Sequence, residues 1–69
     1  MENFPSRLKE LRQISGKTQR QVADEIGVTE QAYQKYEYGK RTPTFEIAIK
    51  LANCFNITLD LLAGREFQL

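Results

Sequence analysis

A single residue, Val28, separates the glycine that closes one apolar helical stripe from the threonine that opens the next. Before it, Val22, Ala23 and Ile26 recur at helical spacing and stop at Gly27. After it, Thr29 offers the hydroxyl of an N-cap, and Ala32, Tyr33 and Tyr36 follow along one stripe. Two short helices joined by so little chain must cross steeply rather than lie side by side. That crossing limits what the remaining residues can build, because each flanking segment has to cover one side of a fixed wedge.

The flanking segments read as helices of the same kind. Phe4, Leu8, Leu11 and Ile14 repeat at helical spacing behind a plausible Asn3 cap, with Pro5 tolerated in the first turn. Thr18 and Gln21 have the spacing of a capping box. Pro43 bars continuation of the third helix, and Thr44 caps a fourth whose stripe is Ile47 or Ala48, Leu51, Ala52 and Phe55. Asn56 suits a left-handed stop there, and Thr58 opens a short fifth helix with Leu59, Leu61 and Leu62. No alternating strand pattern competes. The expectation is all-α, one domain over 1–69, with helices about 4–15, 18–26, 29–38, 44–55 and 58–63 and a tail over 64–69.

The third helix carries a second stripe of a different character. Glu30, Gln31, Gln34, Lys35 and Tyr38 form a continuous face of amides, charges and a phenol, ended by Gly39 and followed by Lys40, Arg41 and Thr42. Amides pair bidentately with adenine and Lys with guanine in a DNA major groove. An ordinary solvated helix face has the same composition, so the stripe alone does not decide.

Composition narrows the alternatives. The chain has one Cys and no His, which removes a disulfide framework, Cys-based zinc and the usual proton carriers. Neither a cofactor, a metal site nor an enzyme is therefore expected. Cys54 reads as a small hydrophobe beside the fourth stripe, and Asp24 and Glu25 as solvated charges on different sides of their helix. No apolar run has signal-peptide or membrane length, so a reduced, soluble, cytoplasmic chain without membrane contact is expected. Net charge is only +1. Residues 1–43 hold eight cations against six anions, and residues 44–69 two against three, which places a faint positive bias in the first part.

In order and spacing, LKELR (Leu8 to Arg12), TQRQVADEIGVT (Thr18 to Thr29), the Tyr36-Glu37 pair, GKRTP and DLLAG resemble the lambda-repressor-like (Cro/CI, XRE-type) helix-turn-helix family. The resemblance covers about Ser6 to Gly64. It implies a compact five-helix bundle whose third helix enters the major groove. By that likeness Thr29, Glu30, Gln31 and Lys35 contact bases. Gln19, Arg20, Gln34, Tyr38, Lys40, Arg41 and Thr42 contact the DNA backbone. Arg12 and Glu37 match a pair that is a buried salt bridge in several relatives, a contact their spacing could not have shown.

Three positions depart from the family pattern. Glu30 stands where Gln is common; it can accept from cytosine N4, or simply favour the positive end of its own helix. Tyr33 and Tyr36 replace aliphatic or Trp residues in the core, and their hydroxyls need partners, which suggests rings reaching the domain edge.

The function expected is a sequence-specific double-stranded DNA-binding transcriptional regulator, a repressor acting as a homodimer on a near-palindromic operator. Leu59, Leu62, Phe67 and Leu69 are the expected dimer contacts, because three leucines crowd a very short helix and the tail adds two apolar groups. A protein-interaction or antitoxin-type module, with DNA binding secondary, is the alternative from another class. No sensor segment or small-molecule site is expected.

Overall fold

The computed structural model describes residues 3–64. Five helices run in chain order: α1 Phe4–Ile14, α2 Gln19–Ile26, α3 Glu30–Glu37, α4 Phe45–Phe55 and α5 Leu59–Ala63. No strand occurs among the described residues.

Four of the five helices start on a threonine. Thr18, Thr29, Thr44 and Thr58 are extended, and their hydroxyls accept from the backbone N–H of Gln21, Ala32, Ile47 and Leu61 at 3.0–3.2 Å. Each such cap is worth about 1 kcal/mol. At Thr18 the box is complete, its own N–H donating to Gln21 Oε1 at 2.8 Å. Asn3 is the exception. It sits at φ 62, a left-handed conformation, and makes no side-chain cap. An N-cap side chain needs extended backbone to turn back onto the first N–H groups, so the role expected for Asn3 is not filled.

The helix ends follow the expected stops. Asn56 is left-handed at φ 57. Gly39, at φ 74, is required twice over, because a Cβ there would also lie 3.3 Å from Pro5 Cγ. That approach seats the end of α3 against the first turn of α1.

The core is Phe4, Leu8, Val22, Ala23, Ile26, Tyr33, Tyr36, Ala48, Leu51, Ala52, Phe55 and Leu62. The open choice on α4 resolves to Ala48, with Ile47 only partly buried. α2 packs on α3 and α4, α1 on α3 and α5, and α4 on α5.

Three expectations fail here for packing reasons. Ile14 is 77% exposed: two successive steps of three from the buried Leu8 leave it about 120° short of two full turns, which carries it off the buried stripe. Leu62 is 1% exposed and belongs to the core, so it cannot meet a partner copy as expected. Tyr33 does not reach the domain edge; it is fully enclosed, in edge contact with Tyr36 at 6.3 Å between ring centres. Leu59 stays half-buried, while Phe67 and Leu69 lie outside the described residues.

Candidate nucleic-acid interface

α3 is positioned by what lies beneath it. Glu37, in its last turn, has a side chain only 1% exposed and receives four hydrogen bonds. Arg12 Nε reaches Oε2 at 2.6 Å and Arg12 Nη2 reaches Oε1 at 3.3 Å. Tyr33 Oη donates to Oε2 and Gln19 Nε2 donates to Oε1 at 3.1 Å. Burial alone would push the Glu37 carboxyl up. The donors from Arg12, Tyr33 and Gln19 outweigh it and hold the group below the usual carboxylate range. The same contacts raise the Arg12 guanidinium through its bond to Glu37, and burial followed by the bond to Glu37 keeps the Tyr33 phenol protonated. Arg12 Nη1 also donates to Lys17 O at 3.0 Å, so one side chain ties α1 to the α1–α2 turn and to α3.

The ion pair implied by the resemblance is therefore formed, and it has two partners that the sequence reading missed. Tyr33 stands four residues before Glu37 on one helix, a spacing that brings side chains together and was legible. Gln19 was not, since its approach depends on how α2 crosses α3.

The opposite face of α3 is open. Gln31, Lys35 and Tyr38 are exposed, Glu30 and Gln34 half-buried. Thr29 is exposed and its oxygen already accepts from Ala32, which leaves its own proton for donation. Beyond Gly39 the chain folds back: the N–H groups of Lys40 and Arg41 both donate to Lys35 O, at 2.9 and 3.3 Å. The exposed side chains of Lys40, Arg41 and Thr42 are thus tethered beside the end of α3. Arg20 is exposed near the start of α2, and Gln19 is half-buried between the two helices.

A second polar cluster lies on the far side of α2. Lys17 Nζ meets Glu25 at 3.0 Å and donates to Cys54 O at 3.0 Å, filling a carbonyl of the last turn of α4. Cys54 Sγ lies 3.3 Å from Glu25 Oε1, and burial followed by that carboxylate pushes the thiol up, away from the reactive thiolate. Glu25, expected to be a solvated charge, is exposed and is paired with Lys17 as well. This cluster fastens the α1–α2 turn to α4.

Residues 8–62 match the family model described as "Helix-turn-helix". The chain belongs to the lambda-repressor-like helix-turn-helix family. Among curated helix-turn-helix relatives, it is 46% identical over 59 residues to the cryptic phage CTXphi transcriptional repressor RstR of Vibrio cholerae serotype O1, covering 86% of this chain and 53% of that protein. It is 41% identical over 66 residues to the SPbeta prophage-derived uncharacterized HTH-type transcriptional regulator YonR of Bacillus subtilis, covering 94% and 61%. It is also 36% identical over 64 residues to the HTH-type transcriptional activator BcrR of Enterococcus faecalis, covering 91% and 31%. The chain thus spans between about a third and three fifths of the length of these relatives. No solved structure matches it. The family and these relatives are transcription regulators rather than enzymes, and among the described residues no helix is long and apolar enough to cross a membrane.

Proposed function

We propose that this domain is a sequence-specific double-stranded DNA-binding transcriptional regulator that inserts α3 into the major groove. One observation carries the reading. The buried side of α3 is locked to α1 and α2 through Glu37, while its other side offers Gln31, Lys35 and Tyr38 beside tethered cations. In this reading Thr29, Glu30, Gln31 and Lys35 address bases, and Arg20, Tyr38, Lys40, Arg41 and Thr42 address the phosphates that set register. The start of α2, where Gln19 sits, adds unpaired N–H groups that favour a phosphate. Selection from a random duplex library tests this directly: a recovered half-site supports it, and recovery of no duplex at low salt would favour a protein ligand instead.

Repression is the preferred sign, by blocking polymerase access to a promoter, in keeping with the relative named as a repressor. A relative named as an activator shows that the family supports either.

A homodimer on a near-palindromic site fits the exposed apolar surface. Phe45 is 71% and Ile49 40% exposed, one turn apart on α4, beside a groove that Leu59 and Ala63 line. A two-fold pair built here has to set two α3 helices about 34 Å apart, one turn of DNA. Sedimentation at high micromolar concentration is expected to show dimer, and Phe45→Glu is expected to give monomer with unchanged helix content. Monomer for both chains would remove this surface from consideration.

Glu30 is expected to set specificity by exclusion. Its carboxylate only accepts, so it loses against guanine O6 and N7 but finds a donor on cytosine N4. Glu30→Gln should bind DNA more tightly overall and shift preference at one position toward adenine, with discrimination of about 1–3 kcal/mol. Full base-preference profiles at one salt concentration check this. Coincident profiles and equal affinity would reduce Glu30 to a charge that stabilises its own helix terminus.

A further inference from the structure

We propose that Gln34 reads a base, and that the buried carboxylate of Glu37, acting through Gln19, fixes which end of the Gln34 amide faces the duplex. The inference rests on the DNA-binding reading and deepens it by adding a specificity-determining residue and naming what orients it.

The polarity follows from which groups can donate. Glu37 is ionised and can only accept, so the end of Gln19 that meets Oε1 at 3.1 Å has to be Nε2. The other end of that amide, Oε1, is an acceptor. Gln34 meets it at 3.1 Å, and therefore with its own Nε2. Two amides, each ordinarily free to turn over, are set in series by one buried charge. Gln34 is left with Oε1 as the end that no donor among the described residues occupies.

An outward carbonyl oxygen suits some partners and not others. Phosphate oxygens accept and cannot donate, so this end of Gln34 has nothing to offer the backbone, where the family likeness placed it. Adenine N6 and cytosine N4 are donors in the major groove. Guanine offers only O6 and N7 there, both acceptors, and the tethered amide cannot turn over to satisfy both. Gln34 lies on the flank of α3 that faces α2, and the proposal gives it one base pair of the half-site. At that base pair guanine on the contacted strand should be disfavoured roughly tenfold against adenine or cytosine.

Glu37 and Gln19 are positioning residues in this arrangement, and their role has a readout that plain structural support lacks. In the free protein, the side-chain amide protons of Gln19 and Gln34 should be shifted and slowed in exchange relative to a solvated glutamine. Gln19→Met keeps the length and deletes both ends of the relay, while Arg12 and Tyr33 still serve Glu37. It should return the Gln34 amide to solvated behaviour. On DNA it should relax the exclusion of guanine at one base pair, while the backbone N–H groups at the start of α2 remain in place for a phosphate. Gln34→Ala should flatten preference at that same base pair. A selected duplex whose profile is untouched by Gln34→Ala would overturn the assignment of Gln34 while leaving DNA binding intact. Free-protein amide protons that are already solvated in the parent chain would overturn the relay itself. Failure to recover any duplex would overturn the DNA-binding reading, and this inference with it.

Discussion

Arg12→Met is expected to unfold with about 3–5 kcal/mol less stability than the parent chain, because it leaves Glu37 charged and enclosed without its cation. For a domain of this size that is most of the net stability, so urea unfolding is best followed in the cold. The informative comparison is with the partner removed as well. Arg12→Met plus Glu37→Leu replaces both charges with apolar groups, which in general recovers much of such a loss.

Here recovery should be incomplete, and the hydrogen bonds say why. Tyr33 Oη and Gln19 Nε2 both lose their acceptor when Glu37 becomes Leu. A buried hydroxyl without a partner costs about 1–3 kcal/mol. Adding Tyr33→Phe should therefore stabilise the double variant, although the same change in the parent chain removes a good hydrogen bond and destabilises it. That reversal of sign is the measurement to make. Simple additivity across all three positions would mean that the groups do not act together.

The pH dependence follows from the same carboxylate. Glu37 is held below its unfolded value, so its contribution is fully present above the usual carboxylate range and is lost as pH falls through its folded value. Parent stability should decline from about pH 4 downward, and the Arg12→Met plus Glu37→Leu variant should decline less over the same interval.

Duplex affinity should fall about a thousandfold between 50 and 200 mM salt. In the proposed dimer, Arg20, Lys40 and Arg41 from each copy would give about six phosphate contacts, and each released counterion steepens the logarithmic slope by about 0.9. Lys40→Ala removes two of them, so the slope should flatten by about 2 and affinity should drop alike for every sequence. Gln31→Ala makes the contrast. It should leave the slope unchanged and erase preference at one base pair, at a cost of about 1–3 kcal/mol. Salt-independent binding would show that these cations do not face phosphates.

What was legible in the sequence was what is local. A threonine three residues before a free N–H is a cap wherever the helix goes, and Thr18, Thr29, Thr44 and Thr58 all behave so. Most of the polar stripe of α3 was readable for the same reason, since Gln31, Lys35 and Tyr38 are exposed on their own helix; Gln34, which bonds Gln19 of α2, is the exception. Burial was less readable, because it depends on what lies across from a residue. Ile14 continues the pattern at the last residue of α1 yet is exposed, and Leu62 and Leu59 differ in fate though both sit on one short helix. The centre of the site was the least accessible. Arg12 and Glu37 stand 25 residues apart, and only the family likeness paired them. Gln19 and Gln34 join them because of the angle at which α2 meets α3, which Val28 permits but does not specify.

The fold-back of the α3–α4 loop bears on how such a protein finds its site. With the N–H groups of Lys40 and Arg41 already bonded to Lys35 O, and each cap of α2 and α3 filled by its own threonine, little of the reading surface remains to be ordered on contact. A reader that must fold at every trial position loses time at each wrong one. A finished one slides and hops along non-specific DNA at a pace set by its loosely held cations, and can reject a wrong sequence without first rearranging. In the proposed reading, search speed depends on Arg20, Lys40 and Arg41, and residence on the amides and carboxylate of α3. The two can change separately, so an altered operator preference need not slow the hunt for it.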